Sequence, residues 1–371
     1  MDYQIYAICR KIVSSAVFKK TIRISIKIMH KGKIKEFFLN EVYGHLPSFE
    51  DVCVYYETVD CHENVLCGAV RKDLRVHLNR NGRFTSFGFD LFVPNNPKGV
   101  FVFLCNRPVG CISKKEIDPN RDLKSSFYPI EEILGRGYAC TAFLTSEVAE
   151  DKNGFKYGLN SIFQDVDHSK EDSYGTLLMW AKGFSIVIDY LKQDELTKNL
   201  PIATVGHSRG GKTSLLAGAL DERIDLVCSS CAGCSGDAEA NNYHEGAETI
   251  KIITDAFPYW FAPNYRKYAN KPMPYNQSDL LSLIAPRLLY TSSKSEDLWA
   301  DPKGEFETLL KLNAAYEERE EKGFAPAKAF SIDEEMVSHE GNIAHHHLKG
   351  IHDLDERDWN LYMDFWDKKL Q

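Results

Sequence analysis

Gly206-His207-Ser208-Arg209-Gly210 stands between an apolar run, residues 202–205, and a helix-forming run, residues 213–220. A serine between two glycines at a strand-to-helix turn sits on a strained backbone that lifts its hydroxyl above the strand end. A hydroxyl alone is a weak nucleophile. It needs an imidazole to take its proton and a carboxylate to orient that imidazole. At a turn of this kind the three follow in the order serine, acid, histidine. The acid is expected after a later strand. Residues 287–293 (RLLYTSS) read as that strand, and Asp297 follows it, with Glu296 and Asp301 as rivals. The base is expected just before the closing helix, where His352 stands. His345, His346 and His347 are close by. Neighbours on an extended segment point to opposite sides, so this run is not expected to converge on one metal ion. Cys228, Cys231 and Cys234 lack a second Cys-x-x-Cys pair and read as buried or loop thiols near the site.

Positioning these groups demands a layered fold. Strand-like runs at 52–59, 73–78 and 87–93 precede a continuous apolar run at 100–105. Further strands are expected at 138–144, 202–206, 224–230 and 287–293. Helical patterns fall at 33–42, 129–137, 173–193, 209–219, 305–320 and 355–370, and residues 145–172 read as a long surface loop. Strands alternating with helices predict a mainly parallel sheet covered on both faces, a three-layer α/β/α sandwich. No clean linker interrupts the chain. The expected organisation is an N-terminal extension, residues 1–34, and a single domain, residues 35–371, with an insertion at about 235–280.

Composition narrows the function. Of 371 residues, 43% are hydrophobic and 26% charged, a globular balance. A net charge of −8 excludes nucleic-acid binding driven by overall charge. No apolar run is long enough for a membrane span. Ten scattered cysteines, several inside apolar runs, read as free thiols of a reducing compartment. Arg10 and Lys11 break the apolar stretch nearest the start, so a cytoplasmic location is expected. The basic residues between positions 10 and 35 read as a solvated flank.

Beyond the elbow, residues 35–370 resemble the glucuronoyl esterases, carbohydrate esterase family 15, especially bacterial members. The resemblance rests on EVYGHLP (41–47), RGYA (136–139), WAKG (180–183), GHSRGGK (206–212), GAETI (246–250), FPYWF (257–261), LLSLIAPRLLY (280–290), EDLWADPKGEF (296–306) and GIHDLDERDW (350–359). It implies an α/β-hydrolase fold and hydrolysis of the ester between (4-O-methyl-)glucuronate and an alcohol, with no metal or organic cofactor. The expected partner is a small-molecule or oligosaccharide uronate ester. By the same resemblance Ser208 is the nucleophile, His352 the base and Asp297 the acid. Other members place a glutamate after the strand that follows the elbow helix, and SSCAGCSGDAE (229–239) has none at the matching place. Arg209 resembles the arginine beside the oxyanion, and Lys212, Trp299 and Glu248 resemble residues that grip the sugar. Lys182 and the stretch Asp237-Ala238-Glu239 depart from the family pattern, which bears on substrate rather than on the triad. Two rival readings remain at this level: an acetyl-xylan or general carboxylesterase of the same fold, and a non-catalytic carbohydrate-binding relative.

Overall fold

The computed structural model describes residues 30–107 and 125–370. In the apolar run at 100–105, Val100, Val102 and Leu104 face one hydrophobic core, while Phe101, Phe103 and Cys105 face another. A strand that alternates sides with every residue is apolar throughout only when both faces are covered. This strand is therefore central, and the two cores are the two interfaces of a helix–sheet–helix sandwich.

The strands are β1 (Val52–His62), β2 (Val70–Arg80), β3 (Arg83–Val93), β4 (Val100–Cys105), β5 (Ala139–Leu144), β6 (Ile202–His207), β7 (Leu226–Ser230), β8 (Leu288–Lys294), β9 (Met336–Ser338) and β10 (Ile343–Leu348). They form one sheet in the order β1-β2-β3-β5-β4-β6-β7-β8-β10-β9. Pairing is parallel from β5 through β4, β6, β7 and β8 to β10. It is antiparallel at both ends. The helices that flank the site are α1 (Ile130–Gly135), α2 (Thr176–Leu191), α3 (Arg209–Leu220), α4 (Ile250–Ala256), α5 (Pro302–Glu317) and α6 (Glu356–Lys369). Buried residues of α2, α3, α4 and α5 enter one core, and those of α1 and α6 enter the other. No helix among the described residues is long and apolar enough to cross a membrane.

Strand order reverses between β4 and β6, which lie side by side although β5 comes between them in sequence. The carboxyl ends of two such strands open a crevice that the connecting helices leave on opposite sides. Ser208 follows β6 at this crevice.

Several elements differ from the sequence reading. β9 and β10 were not expected. The polar composition of His345-His346-His347 hides a strand whose residues are all buried. Residues 145–172 are more than a surface loop: Val148, Leu159 and Ile162 are buried in the first core. The α-helix at residues 30–38, continued by a π-helical turn at Leu39–Tyr43, starts earlier than expected and spans the anticipated boundary at residue 34. Ile34 and Phe38 on it are buried. Residues 1–29, which hold most of the extension, lie outside the described residues. The α5 helix starts at Pro302 rather than 305, because the Asp301 carboxylate accepts the Gly304 N–H at 3.0 Å and caps it there. The insertion at about 235–280 packs Trp260, Phe261 and Tyr265 onto the first core.

Candidate active site

Ser208 closes β6 and opens α3 with φ 58° and ψ −123°. A side chain at that φ is strained, and the neighbouring residues show what enforces it. A Cβ on Gly206 would lie 2.0 Å from the Gly210 carbonyl oxygen, so α3 turns back directly over the strand end. A Cβ on Gly211 would lie 2.8 Å from Ser229 Oγ. At Gly210 the nearest atom would be 3.2 Å away, a milder conflict than the elbow pattern suggests. The hard steric demands therefore fall on Gly206 and Gly211. The Ser208 N–H donates to the Ser230 carbonyl at 2.8 Å, which ties the elbow to β7.

The loop after β8 brings in Asp297, and the loop before α6 brings in His352. Their side chains meet, with His352 Nδ1 2.5 Å from Asp297 Oδ2. Asp297 is buried, 4% exposed, whereas the His352 ring is 41% exposed. Of the rival acids, Asp301 bonds His244 Nδ1 at 2.8 Å and caps α5, and Glu296 is exposed. Ser208 and His352 line the same cavity, about 340 Å³, with no hydrogen bond between their side chains. Before substrate binds, such bonds are commonly long and tighten only in the complex.

A second histidine supports this pair. His207 packs its ring 4.6 Å from that of His352 and 5.8 Å, edge-on, from Phe127. Burial pushes the His207 pKa well down, and the neighbouring His352 and Arg107 add to the effect. His207 is thereby held neutral and does not oppose a positive charge forming on His352. Arg107 also pairs with Asp353 at 2.6 Å, which anchors the loop next to His352.

Arg209, the first residue of α3, is tied at two points. Its Nε lies 2.7 Å from Asp151 Oδ2, and its Nη2 donates to the Asn106 carbonyl at 3.3 Å. Asp151 also accepts from Trp260 Nε1 at 2.7 Å and from the Tyr259 hydroxyl. Sequence reasoning missed Asp151, because it lies in the irregular stretch after β5 and no pattern links it to Arg209. It also left Trp260 and Phe257 without a role, although both line the cavity and stack on each other at 3.9 Å. The quoted run FPYWF carried that signal.

The far wall of the cavity is built from Lys212, Glu248 and Trp299. Lys212 Nζ donates to Glu248 Oε2 at 2.9 Å and to the carbonyls of Ala232 and Cys234 at 2.5 and 2.6 Å. All three of its N–H donors are engaged. Glu248 Oε1 in turn accepts the Trp299 indole N–H at 3.2 Å. Trp299 is half exposed rather than a core indole, and its bond to Glu248 fixes the indole N–H. The carbonyls that hold Lys212 belong to a segment supported by two buried carboxyls, since the Gly233 N–H donates to both Asp237 and Glu305 at 3.0 Å. Burial raises the pKa of each, and the Asp237 charge raises that of Glu305 further. The departure at Asp237 and Glu239 is thus matched by partners, because Glu239 pairs with Lys311 at 3.2 Å. The departure at Lys182 is likewise matched, its ammonium lying 4.8 Å over the Phe49 ring.

The three consecutive histidines occupy both faces of β10. His345 Nδ1 bonds Thr291 Oγ1 at 2.8 Å, His346 Nε2 bonds Asp358 at 2.6 Å, and His347 Nδ1 bonds Ser293 Oγ at 2.7 Å. Burial lowers the pKa of all three.

Residues 126–318 match the family model described as glucuronyl esterase of fungi. A curated carbohydrate esterase from an unknown prokaryotic organism is 28% identical over 92% of this chain and 84% of its own length. The 4-O-methyl-glucuronoyl methylesterase 1 of Phanerochaete chrysosporium is 29% identical over 45% of this chain, a match that spans 37% of that protein. Among solved structures, a glucuronoyl esterase from Solibacter usitatus superposes with a TM-score of 0.78 at 27% identity, covering 91% of each chain.

Proposed function

We infer the reaction from the family to which this chain belongs, the glucuronoyl esterases of carbohydrate esterase family 15. The chain is a carboxylic ester hydrolase of α/β-hydrolase fold. Its substrate is an ester of (4-O-methyl-)glucuronic acid, cleaved in two acyl-transfer steps by Ser208, His352 and Asp297. The observation that carries this reading is the 2.5 Å contact between His352 Nδ1 and the buried Asp297 carboxylate, made at the cavity that Ser208 lines.

With its Nδ1 proton donated to Asp297, His352 has Nε2 free to accept the Ser208 proton as Oγ attacks the ester carbonyl. The carbonyl oxygen becomes negative. The guanidinium of Arg209 and a backbone N–H near Asn106 receive that charge, and such preorganised donors are worth about 2.7–4 kcal/mol of barrier each. His352 then gives its proton to the departing alcohol. A water molecule, activated by the same nitrogen, releases the uronate and restores Ser208. The sugar ring lies on the half-exposed indole of Trp299, and its hydroxyls meet Glu248. Because the donors of Lys212 are already engaged, its contribution is to neutralise Glu248 and hold it in place.

The test is a panel of methyl glucuronate, benzyl glucuronate and p-nitrophenyl acetate on the purified chain. Preference for the glucuronates, lost in Ser208→Ala, is the expected result. Preference for the acetate would overturn the uronate assignment. Failure to react with a fluorophosphonate probe would overturn the catalytic one.

A further inference from the structure

Cys231 takes no part in the acyl-transfer scheme. Yet its Sγ, a carboxylate oxygen of Asp297 and a ring nitrogen of His352 all lie within 4.8 Å of one another. Cys231 is a free thiol, buried, with φ 50°. Its N–H donates to the Ser292 carbonyl at 2.8 Å, so the backbone that carries the sulfur is fixed by β8. The side wall of the cavity is therefore one soft sulfur, one imidazole and one carboxylate. These are the donors that zinc and its thiophilic relatives select. With metal–ligand bonds of about 2.0–2.3 Å, donors of a tetrahedral site stand roughly 3.3–3.8 Å apart. Separations of at most 4.8 Å reach that range by side-chain movements, and the 2.5 Å contact between His352 Nδ1 and Asp297 widens to it if the metal takes Nδ1. All three side chains line the cavity that Ser208 also lines.

We propose that Cys231, Asp297 and His352 form an inhibitory site for a thiophilic divalent cation of the zinc class. The cation bonds to sulfur as the Cys231 S–H bond breaks and its proton leaves to solvent. It also takes a lone pair from neutral His352 and one from the Asp297 carboxylate, and nothing is oxidised or reduced. Either ring nitrogen serves. Bound at Nε2, the metal occupies the lone pair that Ser208 needs. Bound at Nδ1, it takes the lone pair of the other neutral tautomer, in which the single ring proton has moved from Nδ1 to Nε2. In both cases the Ser208 proton has no acceptor and turnover stops. Magnesium, which prefers oxygen donors, does not fit this set. The effect on rate rests on the esterase reading above, whereas cation binding does not.

The experiment uses the full chain with Cys9, Cys53, Cys61, Cys67 and Cys111 changed to serine, since these are exposed or outside the described residues. It is titrated with Cd²⁺ in a buffer free of chelators and thiols. The expected result is an ultraviolet thiolate-to-cadmium absorption saturating at one equivalent, retained in Ser208→Ala and lost in Cys231→Ser. Zn²⁺ should slow methyl glucuronate hydrolysis about tenfold or more, reversibly with EDTA, and its inhibition constant should weaken about tenfold or more in Cys231→Ser. Magnesium should have no effect. Should Cys231→Ser fail to fold, His352→Ala supplies the comparison. It removes a ligand at a half-exposed position and should weaken Cd²⁺ binding about tenfold or more. No absorption band, a band unchanged in Cys231→Ser, or equal zinc inhibition of both proteins overturns the site. A chain that binds Cd²⁺ through Cys231 yet never hydrolyses methyl glucuronate overturns the esterase reading and supports the cation site.

Discussion

The strand β10 and the loop that follows it carry four histidines that behave in opposite ways. On β10, His346 and His347 each bond protein groups through both ring nitrogens, and His345 is fully enclosed. In the loop, His352 is half exposed and, among the described residues, is bonded through Nδ1. A ring with both nitrogens engaged inside a core is a cross-link. A ring with one nitrogen anchored and the other open to a cavity can move a proton. The environment, not the residue type, separates structural from chemical histidine here.

Substitutions sharpen that contrast. Removing the ring in His352→Ala should lower kcat for methyl glucuronate about 10⁴-fold while the unfolding free energy stays near that of the parent, as steady-state kinetics and urea denaturation would show. His346→Ala should do the reverse. It leaves buried Asp358, whose pKa is held at about 2 against the cost of burial by His346 and Lys294, with Lys294 but without the imidazole that hydrogen-bonds it. A loss of about 3–5 kcal/mol in denaturant unfolding is expected, with kcat of the folded fraction within about twofold of the parent. An equal loss of kcat in both variants would erase the distinction between the two regions.

Asp151→Asn tests whether the Arg209 guanidinium must be held still. About a tenfold fall in kcat/KM is expected, from weaker stabilisation of the oxyanion, with the melting temperature little changed. The smallest effect concerns pH. A histidine kept neutral by burial binds its proton only in the unfolded chain. Stability due to His345 and His347 is therefore complete above about pH 6.5 and drains away as pH falls below it. Each such ring contributes up to about 1.4 kcal/mol per pH unit. His345→Gln should make the acid limb of a melting-temperature profile shallower and leave the pH–rate profile where it was.

The sequence made the elbow legible because Gly206 and Ser208 stand between an unmistakable strand and an unmistakable helix. The meeting of Asp297 and His352 is legible in sequence because chain order at the ends of sheet strands restricts where an acid and a base are expected, and the two side chains do touch. β10 was illegible for a physical reason. Its histidines look polar in isolation, and only their partners on β8 and α6 make them compatible with a core. Asp151 was hidden in another way. An ion pair between a loop and a helix far along the chain leaves no periodicity in either segment. The resemblance implies that Lys212 helps grip the sugar. The donors it has engaged with Ala232, Cys234 and Glu248 point instead to a supporting part.

If Arg209 receives the oxyanion as proposed, its contact with Asp151 bears on the end of the catalytic cycle as well as its start. Hydrolysis turns a neutral ester into an anion, and a bare guanidinium would cling to that anion. A guanidinium already matched by a carboxylate offers far less retention, so the tether that steadies the donor also lets the finished acid go.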